Sequence, residues 1–132
     1  MKTPAPQLIG NVLIGLVAVV LLLAGLLKLI GVGAEDMVEG LEKAHLIQHV
    51  HLICVAAIVC GLLLLIPKLK MLGVLMASSY WGGAIVAHLT YDDSFAMPAV
   101  FLALLWLGAW LSGHVSLPPA EHKGESESGQ SA

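Results

Sequence analysis

Four long apolar stretches, separated by short polar breaks, dominate the chain: residues 8–30, 45–66, 71–89 and 97–115. Each is close to the ~20 residues that a helix needs to cross about 30 Å of hydrocarbon. None alternates apolar and polar positions with a period of two, so a transmembrane β-barrel is not expected. A backbone in lipid must satisfy its own hydrogen bonds, which leaves helices. The breaks suit helix ends. Pro4 and Pro6 precede the first stretch, Gly31 and Gly33 close it, and Ile66-Pro67-Lys68-Leu69-Lys70 reads as a tight turn. Tyr91-Asp92-Asp93-Ser94 reads as another turn, Pro98 fits a first helical turn, and Pro118-Pro119 ends the last stretch. The pattern predicts an all-α integral membrane four-helix bundle: four transmembrane helices with both termini on the same side. It is one domain over residues 1–117, followed by a disordered polar tail over residues 118–132.

Between the first two stretches lies a different pattern. Residues 34–43 carry Glu35, Asp36, Glu39, Glu42 and Lys43 beside Met37, Val38 and Leu41. That is amphipathic, and two placements remain open: on the membrane interface, or as an outward extension of the second helix. Small residues mark where helices can approach closely in lipid. Gly15, Ala18, Leu22 and Gly25 share a face of the first helix, Gly73, Ala77 and Ala84 a face of the third. Ala99, Ala103, Trp106 and Trp110 form a seam on the fourth.

Composition fits a lipid solvent. Of 132 residues, 58% are hydrophobic and 11% charged. A body this small leaves too much surface exposed for such a content to be hidden from water. All six basic residues are lysines and the net charge is −3, which excludes the basic stripe of a nucleic-acid binder. Residues 8–27 have no charge and no proline. That is longer than the apolar region of a cleaved signal, and it reads as a retained span. Lys2, Lys68, Lys70 and Lys123 fall on one side, Lys28 and Lys43 on the other with six acids. The bias places both termini in the cytoplasm, the membrane being the cell membrane, in a bacterium the inner one. Cys54 and Cys60 are too far apart on one helix to bridge and read as buried free thiols.

Polar residues within spans are costly and therefore informative. The topology gathers Lys28, His45, His49, His51, His88 and Tyr91 at one end and sends His114 and His122 to the other. His45 and His49, four apart, would share a helix face, with His51 turned away. The ligand-binding candidates are Lys28, His49, His88 and Tyr91. Plainer readings stand beside them: Lys28 snorkelling to headgroups, His45 and His51 at the interface. A metal site of His45, His49 and His88 and a bis-histidine haem are further alternatives. No catalytic residue is assigned.

Three segments carry a family resemblance: Ala24-Gly25-Leu26-Leu27-Lys28-Leu29-Ile30-Gly31, then Leu65-Ile66-Pro67-Lys68-Leu69-Lys70-Met71-Leu72-Gly73, then Gly82-Gly83-Ala84-Ile85-Val86-Ala87-His88-Leu89. In order and spacing they resemble the DoxX-like membrane proteins over residues 8–113. The resemblance implies a four-helix membrane protein. It also suggests a quinone, since the family takes its name from a subunit of a thiosulfate:quinone oxidoreductase. Lys28 and His88 lie in the shared segments. Many members carry an acidic residue in the second helix before the proline turn; residues 51–66 here have none.

The expectation is thus an accessory or ligand-binding membrane protein, not an enzyme on its own, with a quinone or other small apolar molecule in the outer half of the bundle. The alternatives are a membrane subunit of a quinone-linked oxidoreductase and an assembly factor for another membrane protein. The expected surroundings are the lipid bilayer, with a membrane-protein partner or a second copy of the chain, and no nucleic acid.

Overall fold

The computed structural model describes residues 2–115; the expectations for Pro118, Pro119, His122 and the tail lie outside the described residues. Within them the chain is helical: α1 (Ala5–Leu29), α2 (Glu35–Lys43), α3 (Val50–Leu65), α4 (Lys70–Thr90) and α5 (Ala96–Leu111). Single 3-10 turns, Ile47–His49 and Pro67–Leu69, lead into α3 and α4. There is no strand among the described residues.

The four long helices form a square. α1 packs on α3 and α5, and α4 packs on the same two, so α1 and α4 lie across a diagonal. The small residues show the directions. A Cβ added at Gly25, near the end of α1, would lie 2.9 Å from the Cys54 carbonyl near the start of α3. One added at Gly61 would lie 2.9 Å from the Ala18 carbonyl. The two helices are therefore antiparallel and in backbone contact. Gly10, at the start of α1, faces Gly108 at the end of α5, where an added Cβ would sit 2.6 Å from the Gly108 oxygen. Lys70 Nζ, at the start of α4, donates to Asn11 Oδ1 of α1 at 3.0 Å. The starts of α1 and α4 and the ends of α3 and α5 thus share one end of the bundle. The core between them is built from Ile14, Val17, Leu21, Leu64, Val74 and Leu105, all fully buried. The outward faces carry Leu16, Val19, Leu23, Leu62, Leu75 and Leu107, the apolar exterior that lipid requires.

One capping motif recurs at four helix ends and explains two departures from the sequence pattern. In it a residue just past the helix turns left-handed, and the N–H of the residue after it, in three of the four joined by its own, reaches back to an orphan carbonyl. Gly31 (φ +86°) does this after α1 and Gly113 (φ +77°) after α5. At α5, Gly113 N donates to Trp110 O at 3.1 Å and His114 N to Ala109 O at 3.1 Å. This ends α5 at Leu111, short of residue 115. His45 (φ +58°) performs the same service after α2, with Leu46 N donating to Leu41 O at 2.7 Å. His45 therefore belongs to a turn and shares no helix face with His49, contrary to the expectation from their spacing. Asp92 (φ +56°) fills the position after α4. His and Asp are among the residues that tolerate this backbone conformation.

Two small-residue faces also differ from expectation. Gly15 has nothing within 4 Å of an added Cβ, and the buried stripe of α1 is Gly10, Ile14, Val17, Ala18, Leu21 and Gly25. On α5 the Ala99–Ala103–Trp106–Trp110 seam is not the packed one. Trp106 and Trp110 are exposed to the bundle exterior, while Pro98, Leu105, Gly108 and Ala109 are buried. Two indoles would hold α1 and α5 apart, whereas Gly108 lets their backbones meet.

Three segments, Ala5–Leu29, Ile47–Leu65 and Pro67–Thr90, are long and apolar enough to cross a membrane; α5, at 16 residues, is shorter. Close backbone contact makes a direct prediction. Gly61→Ala and Gly73→Ala should each lower stability by about 1–3 kcal/mol through overpacking. Gly15→Ala should leave it unchanged or raise it by up to about 1 kcal/mol. Thermal unfolding in a mild detergent checks the contrast.

Candidate functional site

At the end of the bundle opposite Asn11 and Lys70 the helices enclose a cavity of about 590 Å³. Its walls follow from helical periodicity. α1 contributes Leu21, Ala24 and Lys28, α3 contributes Leu52, Ile53 and Ala56, and α4 contributes Trp81, Ala84, Ala87 and His88. These are runs at three- and four-residue spacing, each one side of its helix. α5 adds Pro98 and Phe101, and α2 lies across the opening with Met37 and Leu41. The lining is mostly apolar with a few polar groups, the usual composition of a small-molecule pocket.

All four sequence candidates, Lys28, His49, His88 and Tyr91, line this one cavity. They arrive from four places: the last turn of α1, the 3-10 turn before α3, the last turn of α4 and the residue after it. Lys28, His88 and Tyr91 are half-buried and His49 is exposed. The ring centroids of His88 and Tyr91 are 5.2 Å apart. His88 Nδ1 lies 3.2 Å from Asp93 Oδ2. Tyr91 is pinned from the far side by α2, where a Cβ added at Gly40 would meet its ring at 2.8 Å. Only a glycine lets α2 lie so close. Burial raises the Tyr91 hydroxyl pKa above its ordinary value, and the Asp93 charge adds to the effect. The phenol therefore stays protonated and able to donate.

The remaining histidines stand elsewhere. His45 and His51 are exposed and do not line the cavity. His114, at the opposite end, pairs through Nδ1 with Ser112 Oγ at 2.7 Å. Burial lowers its pKa, and nearby Lys70 lowers it further. Among the described residues no three His, Cys, Asp or Glu side chains are grouped to hold a metal ion. Cys54 and Cys60 are free and buried.

Sequence reasoning missed the aromatic wall. Trp81, 8% exposed, stacks on Phe101 with centroids 5.1 Å apart and planes 16° from parallel. Tyr80 meets Trp81 edge-on at 5.4 Å. The signal was available: Trp81 is seven residues, two turns, before His88 and so shares its face. Ser78, by contrast, is spent on its own helix, donating from Oγ to Val74 O at 2.7 Å. Trp81 Nε1 is buried without a hydrogen-bond partner among the described residues, an arrangement that costs about 1–3 kcal/mol.

A helical bundle with apolar outer faces and a mostly apolar, open-mouthed cavity at one end defines a membrane protein with a pocket between its helices. The chain belongs to the DoxX-like family, whose model matches residues 12–108. No curated protein and no solved structure matches it.

The wall can be tested for its packing role. Trp81→Phe keeps a ring against Phe101 and removes the unpaired N–H, so stability should change by less than about 1 kcal/mol. Trp81→Ala should cost about 3–5 kcal/mol. The same unfolding measurement distinguishes them.

Proposed function

We propose that the protein is an accessory membrane protein that binds a small apolar molecule with a polar end, a quinone being the leading candidate. In this reading the ring lies between the Trp81–Phe101 wall and the aliphatic side chains of α1 and α3. Lys28, His49, His88 and Tyr91 hold the polar end. The observation that carries it is the convergence of these four side chains, from four separate places in the chain, on one largely apolar cavity. Membership of the DoxX-like family agrees with it.

The proposal includes four spans with both chain ends in the cytoplasm. α5 is about 24 Å long at 1.5 Å per residue, less than the hydrocarbon thickness. A short span is accommodated at modest cost by local thinning of the bilayer. α5 packs against both α1 and α4, and its outer face carries Val100, Trp106, Leu107 and Trp110. A bilayer that surrounds α1 therefore meets α5 too. Lys68 and Lys70 lie at the same end as Lys2, as the positive-inside tendency asks.

Titration of the purified protein in nanodiscs with a short-chain benzoquinone and with its hydroquinone tests the ligand. Lys28→Ala should weaken binding of the quinone, and His88→Ala that of the hydroquinone, each about three- to tenfold, the usual worth of one hydrogen bond. Equal affinity in all three proteins would remove the reading. Reporter fusions test the topology. A fluorescent protein that folds only in the cytoplasm should be bright at either chain end and dark when inserted between α4 and α5. Brightness at only one chain end would mean an odd number of spans.

A further inference from the structure

Resting on the reading that the cavity takes a ligand, we infer that Asp93 positions His88 so that the site selects a ring bearing a hydroxyl group, as in the reduced form of a quinone, over one bearing only acceptors. The argument begins at the end of α4. Asp92 turns left-handed (φ +56°), and Asp93 N then donates back to His88 O at 3.0 Å. The cap thus returns residue 93 to residue 88, and the Asp93 side chain lands on the imidazole, Oδ2 lying 3.2 Å from Nδ1. Its other oxygen, Oδ1, accepts from Ser94 N at 2.7 Å, which fixes the carboxylate.

An ionised carboxylate only accepts hydrogen bonds. Nδ1 must therefore carry the proton that it shares with Asp93, and in the neutral ring Nε2 is left as an acceptor. Among the described residues Nε2 has no partner, and His88 lines the cavity. Lys28, on the same cavity, has the opposite character: an ammonium only donates. Nε2 asks for a ligand atom that donates and Lys28 for one that accepts, and a phenolic oxygen can answer either. A carbonyl or ether oxygen would answer Lys28 and leave His88 Nε2 unpaired. The stacked pair Trp81 and Phe101 supplies the flat wall that an aromatic ring would lie against.

The experiment compares 1-naphthol with 1-methoxynaphthalene, which keeps the ring and the acceptor and lacks the O–H. Both are titrated into the full-length protein in nanodiscs, with empty nanodiscs subtracted. The wild type should bind 1-naphthol about tenfold more tightly. His88→Ala should bind both alike. Asp93→Asn should cut the preference below about threefold. In ¹⁵N-histidine spectra, assigned with His88→Ala, it should also shift the His88 proton away from Nδ1. A purely structural role for Asp93 would leave that signature unmoved, and such a result would overturn its assignment. Equal binding of the two probes by the wild type would sink the selectivity while the cavity remained a binding site. Binding of neither probe would end both.

Discussion

Backbone contact between helices is the constraint on which this structure depends. In lipid, apolar side chains gain little by leaving one hydrocarbon surface for another, so helices associate through close packing and hydrogen bonds. Gly25 and Gly61 let α1 and α3 meet at both ends of their crossing, and Gly10 and Gly108 do the same for α1 and α5. Gly73 seats the start of α4 against the backbone of Leu63 and Leu64. α1 is therefore the helix against which the rest are aligned. The Lys70–Asn11 bond then ties α4 to it across the diagonal.

The cavity follows from where such contacts stop. Gly83 on α4 has open space where a Cβ would be and lines the gap. The gap is lined by Trp81, Phe101 and aliphatic side chains and lies beneath α2. Polar residues that would be costly in a packed bundle reach the cavity from helix ends. There the chain is already turning, and backbone groups already need partners.

The sequence made the helical membrane class legible, because unbroken apolar runs of this length have few other solutions. The gathering of Lys28, His49, His88 and Tyr91 was legible too, since antiparallel helices return alternate loops to the same end. What escaped depended on backbone geometry or on shape. His45 and His49 have helical spacing, but a left-handed cap after α2 took His45 out of the helix. On α5, alanines and tryptophans at regular spacing suggested a seam. The one actually packed was chosen by Gly108, whose lack of a side chain mattered more than the size of the indoles. Trp81 shares a helix face with His88, but its stacking on Phe101 joins two helices and depends on how α4 and α5 pack. Asp93 was read as part of a turn, and its return to His88 became visible only with the φ angle of Asp92.

The meeting of the first turns of α1 with the last turn of α5 has a practical side. Because Gly10 meets Gly108 and Ser112, the first turns of α1 and the last turn of α5 leave the bundle together. The cavity lies toward the other end, its α4 lining beginning at Ser79 and Trp81, about 15 Å along the helix from Lys70. Its mouth is bordered by connections between helices. A tag or a surface tether joined ahead of α1 would thus hold the molecule by the end away from the approach to the cavity.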